Sequence, residues 1–219
     1  MSNKTLFDLY HVSGWLINLA TLLLVYFAFK SKNIWKGKYK FMALFFVVMA
    51  LAELYASITV FITTSNLYID YWYIPIIFSL RLLYLSKQIK LVLAERIAIA
   101  VIITFIIFQI YLGLHANMKL DLNVWGINVE LFLLICASLF NVTILFKEKS
   151  ISKKLRQNPD FWFTITILLL SLKSIFEVSL DNSAYISQNI TALLIFRVAT
   201  NFTNIFFYYG YYKGIKLLG

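Results

Sequence analysis

Seven stretches of this chain are each long and apolar enough to cross a lipid bilayer, and little sequence is left between them. A hydrocarbon core of about 30 Å takes about 20 mostly apolar residues in helical form. The stretches run approximately 12–29, 41–62, 70–86, 92–113, 124–146, 161–180 and 188–210. Runs such as Phe45 to Leu51 and Ala98 to Ile107 are apolar on all sides, whereas barrel strands would alternate apolar with polar residues. In lipid, such a segment satisfies its own backbone only as a helix. The expected fold class is therefore all-α, a polytopic seven-transmembrane-helix bundle forming one domain over residues 1–219. Pro75 and Pro159 fall near the starts of their spans, where a missing N–H costs least. Only 14% of residues are charged, and the longest connection, near 147–160, is too short to bury a core, so no separate soluble domain is expected.

Orientation follows from the basic residues. Lys30, Lys32, Lys36, Lys38 and Lys40, then Lys87 and Lys90, then Lys147, Lys149, Lys153, Lys154 and Arg156, and finally Lys213 and Lys216 all fall on one side. Lys4 and Lys119 alone fall on the other. The positive-inside rule then places the N-terminus outside and the C-terminus in the cytoplasm. Most of the formal charge of +10 is an orientation signal, and nucleic-acid binding by the lysine clusters is not expected. Tyr68, Tyr71, Trp72, Tyr73 and Trp125 at outer ends, with Trp35, Phe161, Trp162, Tyr208, Tyr209, Tyr211 and Tyr212 at inner ends, read as interfacial belts.

The first span is longer than a signal-peptide core and lacks a small-residue cleavage site, so it is expected to stay in the product. Cys136 is the only cysteine, which excludes an internal disulfide and a cysteine-based zinc site. Asn-x-Thr matches at Asn141, Asn189 and Asn201 lie in or against spans and read as chance.

Function has to be sought in the polar groups inside the spans, because ionisable residues in hydrocarbon are costly unless paired or hydrated. Six stand out: Glu53, Arg81, Glu130, Lys173, Glu177 and Arg197. Glu53, Arg81, Lys173 and Arg197 fall near the midplane by residue count, with Glu130 and Glu177 in the outer third. Lys173 and Glu177 share a helix face, as do Glu53 and Ser57. Arg197, Asn201 and Asn204 form one stripe. Glu130 aligns with Asn141 on the fifth span, and Asn18 adds a polar group to the first. Glu95 and Arg96 open the fourth, where long side chains can reach the headgroups. Three readings compete. The charges are interhelical clamps worth about 1 kcal/mol each, or Arg81, Lys173 and Arg197 hold the anionic part of a ligand in a hydrated pocket with Glu53, Glu130, Glu177 and Asn201 around it, or the coupled Lys173 and Glu177 form a proton relay.

Enzyme chemistry is not expected. His11 and His115 are the only histidines, both near outer ends, so neither a metal cluster nor a Ser and His dyad can form at depth. No metal or cofactor is called for. A small transporter is a weaker alternative, since no Gly or Pro break lies in mid-span to build a site from unwound backbone.

Retinal-protein and receptor signatures are missing: the seventh span carries Arg197 where a retinal-linking Lys would sit, and Glu95-Arg96-Ile97 opens the fourth rather than closing the third. Asn158-Pro159-Asp160-Phe161-Trp162 opening the sixth span, with Asn201, Asn204 and Phe206-Phe207 in the seventh, carry a closer likeness. In these stretches the chain resembles small seven-helix membrane proteins of Bacteroidetes-type bacteria, some of which resemble membrane sensor regions of histidine kinases. It departs from them at Lys173 and Glu177. The resemblance implies a multi-pass protein of the bacterial inner membrane. Its expected role is a non-enzymatic sensor or ligand-binding subunit for a small anionic or zwitterionic molecule or lipid head group, signalling through a protein partner with a cytosolic domain. The alternative is a structural accessory protein, for example of a bacterial defence locus.

Overall fold

A computed structural model describes residues 3–62, 68–115, 123–148, 155–181 and 189–219. Seven α-helices account for most of them: α1 (Asn3–Lys30), α2 (Lys40–Ile62), α3 (Tyr68–Gln88), α4 (Val92–His115), α5 (Val124–Glu148), α6 (Pro159–Asp181) and α7 (Ile190–Lys216), with two short 3-10 turns between α1 and α2. Six of the seven are long and apolar enough to cross a membrane. The other, α3, is 21 residues long but carries Asp70, Arg81 and Lys87. Lys119, Lys149, Lys153 and Lys154, and the side chain of Tyr68, lie outside the described residues.

Packing follows a ring. α1 lies against α2 and α7, α7 against α6, α6 against α5, α5 against α3, and α3 against α2, which closes the circuit. α4 stays outside it and leans mainly on α3. Apolar clefts of about 380 and 510 Å³ flank α4. Apolar side chains cover the outside of the bundle as well as its core, and polar ones are buried among them. Leu19, Leu22, Leu23, Ile99, Ile103, Ile107 and Ile110 are exposed, while Ser13, Asn18, Thr21, Glu130, Ser138, Thr164, Thr166 and Ser171 are buried. Lipid solvates the first set as well as a neighbouring helix would, so polar and small residues hold the helices together.

The end at which α1 begins is called the upper end below, and the end at which α7 finishes the lower. The lower half is sealed by rings. Tyr211 of α7 touches the rings of Phe45 and Phe46 of α2 and Phe163 of α6, Phe46 also meets Phe163, and Tyr84 of α3 is edge-on to Phe163 at 5.7 Å. Glycine admits this layer: a Cβ on Gly214 would stand 2.6 Å from the Phe163 ring, and one on Gly210 would collide with Thr166. Gly214→Ala should therefore cost about 1–3 kcal/mol through overpacking, read as a lower unfolding midpoint in detergent; an unchanged midpoint would show that Phe163 can yield.

Three sequence expectations change. The last helix runs to Lys216 rather than 210, so Tyr208 and Tyr211 are core residues and not belt anchors; Tyr71 is buried likewise. Trp72, Trp125 and Tyr209 are exposed as a belt requires. Pro75 sits inside α3 rather than in its first turn, and the Ser79 hydroxyl donates to the Pro75 carbonyl at 2.6 Å.

Candidate functional site

Above the aromatic floor the interior becomes ionic. Arg81 of α3 lies with its guanidinium 4.5 Å from the centre of the Phe45 ring and 3.7 Å from the Glu130 carboxylate of α5. Both side chains are deep, at 11% and 4% exposure. Because they meet, α5 must begin nearer the midplane than α3 does. Residue counting had placed Glu130 well above Arg81, and that depth assignment is corrected here. Tyr73, Tyr208 and Tyr211 surround the pair within electrostatic range, and Glu53 of α2 is in range of Tyr73 and Tyr208.

One turn higher on α7, Asn204 accepts a hydrogen bond from Lys173 of α6 at 2.9 Å, and Lys173 also meets Glu177 at 2.5 Å. Asn204 and Tyr208 are four residues apart and share a helix face, so the Lys173 pair stands directly above the Arg81 group. The seams of α1 complete the column. Asn18 donates to the Ser57 hydroxyl of α2 at 2.8 Å, and Asn201 donates to the Ser13 hydroxyl at 2.8 Å. Glu53 lies one turn below Ser57.

Six of the seven residues singled out in the sequence thus belong to this column or its seams: Glu53, Arg81, Glu130, Lys173, Glu177 and Asn201. Arg197 does not join the packed part. It is exposed, within about 20° of Asn204 on the helix face but two turns higher, about 10 Å from the start of α7. Counting from the predicted span placed it at the midplane because that span ended six residues too soon. Asn141, eleven residues from Glu130 and buried like it, donates to the Ala137 carbonyl of its own helix at 2.9 Å. Glu95 pairs with Lys87 at 2.9 Å across the α3–α4 connection rather than with Arg96.

A second cluster, at the lower end, had no reading as a site in the sequence. Asp160 at the start of α6 meets Lys38 at 2.6 Å and accepts the Tyr84 hydroxyl at 3.0 Å. Gln88 of α3 and Thr164 of α6 exchange hydrogen bonds at 3.0 and 3.2 Å. The Asn158-Pro159-Asp160-Phe161-Trp162 stretch has a local physical meaning: the Asn158 side chain accepts from the Asp160 amide, Pro159 opens the helix, and Trp162 donates to the Arg156 carbonyl. The signal that could have found the cluster was the lone acid beside a proline at a helix start, facing a lysine-rich loop. Asn189 similarly caps α7, its side chain accepting from the Ala192 amide at 3.1 Å.

The arrangement can bind. It offers hydrogen-bond donors and acceptors, two cations and three carboxylates in the upper half of a bundle whose lower half is closed by rings and by the Asp160 cluster. No protein-family model matches the chain, and no curated protein or solved structure is found to be similar to it.

Proposed function

We propose that the chain is a multi-pass protein of the bacterial inner membrane, with its upper end outside, that binds a small zwitterionic or anionic solute or lipid head group and signals its presence to a partner protein. In this reading α3 is the seventh crossing, with Arg81 held against Glu130 in the ring interior where hydrocarbon does not reach it. The distribution of Lys and Arg supports the orientation. The observation that carries the reading is the asymmetry of the interior: ionic groups from α2, α3, α5 and α6 gather above a layer of packed rings. The protein performs no chemistry of its own. A cytosolic domain on the partner would receive the signal.

One observation favours the rival reading of an accessory protein held together by clamps: Arg81 and Lys173 each already have a carboxylate. Lys173→Met separates the two. For a binding protein, glycine or phosphoethanolamine added to the purified chain raises the unfolding midpoint, and the variant loses that response while its unliganded midpoint falls little. For a clamp, neither solute acts on the parent protein, and the variant is destabilised by about 1–3 kcal/mol.

A further inference from the structure

The ionic column contains one more carboxylate than it uses. Arg81 is matched by Glu130 and Lys173 by Glu177, which leaves Glu53 with no ion pair or hydrogen bond among the described residues. The groups around it are equally uncommitted. The hydroxyls of Tyr73 and Tyr208 have no hydrogen-bond partner among the described residues. The same holds for Tyr211, whose ring is fully buried, and for Nε of Arg81. On the α1 side, Asn18 is only 5% exposed and its Oδ1 accepts from no described residue, although its amide holds Ser57, one turn above Glu53.

Such a concentration of unmet polar groups is unusual, because buried polar atoms in native proteins are nearly always satisfied. Here three buried atoms, Asn18 Oδ1, Arg81 Nε and the Tyr211 hydroxyl, are unmet among the described residues, and the Glu53 carboxyl and the Tyr73 and Tyr208 hydroxyls lie in the same part of the bundle. Their chemistry specifies what is missing. Glu53 is the carboxyl of the column that faces no cation among the described residues, Asn18 Oδ1 can only accept, and the tyrosine rings offer the electron-rich faces that attract organic cations. A ligand that matches must bring a positive charge and hydrogen-bond donors. The Arg81 Nε–H points to an acceptor elsewhere on the same ligand.

We infer that Glu53, with Tyr73, Tyr208 and Asn18, forms the subsite for an ammonium group, so that the solute bound by this protein is an amine or the amine end of a zwitterion. This rests on the binding role proposed above and narrows it. The solute's ammonium would neutralise Glu53, and its oxygen-bearing end would lie toward Arg81 and Tyr211. A purely anionic solute would leave Glu53 without a partner.

The test uses the purified full-length chain in detergent, with ethylammonium chloride as the probe, potassium chloride at equal ionic strength as the blank and sodium acetate as the anionic counterpart. Ethylammonium is expected to raise the unfolding midpoint by about 3 °C or more at ten times its dissociation constant. Glu53→Gln, which keeps shape and removes charge, should abolish that rise, and acetate should have no effect on either protein. Tyr208→Phe serves as the second variant and should weaken the response if Glu53→Gln does not fold. An ethylammonium response that survives in the folded variants, or none in the parent protein, overturns the assignment. If acetate alone stabilises, the binding role stands and only the ammonium subsite falls. If ethylammonium, acetate, glycine and phosphoethanolamine all fail, the binding role falls with it.

Discussion

Arg81→Ala is expected to destabilise the protein by about 3–5 kcal/mol, the range for breaking a buried ion pair from one side. The reason lies in what remains. Glu130 is 4% exposed, and without the guanidinium its carboxylate loses the cation it faces. Removal of Arg81 also strips the Phe45 ring of its cation. The double change Arg81→Leu with Glu130→Leu removes both charges and should recover much of the loss, because apolar groups of similar volume can replace a buried pair at little net cost. Equilibrium unfolding of the three proteins in detergent measures this. A single variant as stable as the parent would mean that the pair contributes nothing to the bundle.

The second large effect is expected at Phe163. Its ring is fully buried and joins α6 to Phe46 of α2, Tyr84 of α3 and Tyr211 of α7. Phe163→Ala should cost about 3–5 kcal/mol, from lost contacts and a cavity that four converging helices cannot collapse. It should also open the floor. Thr164, the next residue along, is buried at that level and bonded to Gln88, and a cysteine at its position should gain reactivity toward solutes in the Phe163→Ala background. A stable variant with an unreactive cysteine would show that the rings are not the seal.

Helices were legible in the sequence because a bilayer leaves a continuous apolar segment no other way to satisfy its backbone. Their ends were less so. A run of tyrosines near Gly210 looks like the headgroup boundary, yet α7 continues to Lys216, and Tyr208 and Tyr211 of that run turn inward while Tyr209 stays exposed. Polarity along one helix cannot separate these cases, since an aromatic hydroxyl suits both a wet interface and a polar core. The faces of the buried charges were legible for a similar reason: spacing of four residues unites Lys173 with Glu177 and Glu53 with Ser57 whatever the neighbours are. Partner choice was not. Arg81 meets Glu130 only because α5 enters at a different depth from α3, and helix stagger leaves no trace in residue spacing. The lower cluster at Asp160 was missed because its basic partner, Lys38, reads as one more orientation lysine until the loop is seen folded against α6.

The binding role and the ammonium subsite both require that solutes reach the upper interior and go no further. Cysteine labelling in intact cells measures this directly. In a Cys136→Ser background, Ser57→Cys above the rings and Thr164→Cys at their level are exposed to a membrane-impermeant thiol reagent added from outside. Ser57→Cys should label and be protected by ethylammonium, while Thr164→Cys stays unlabelled. An inert Ser57→Cys, or equal labelling of the two, would contradict a water-accessible site above a sealed floor.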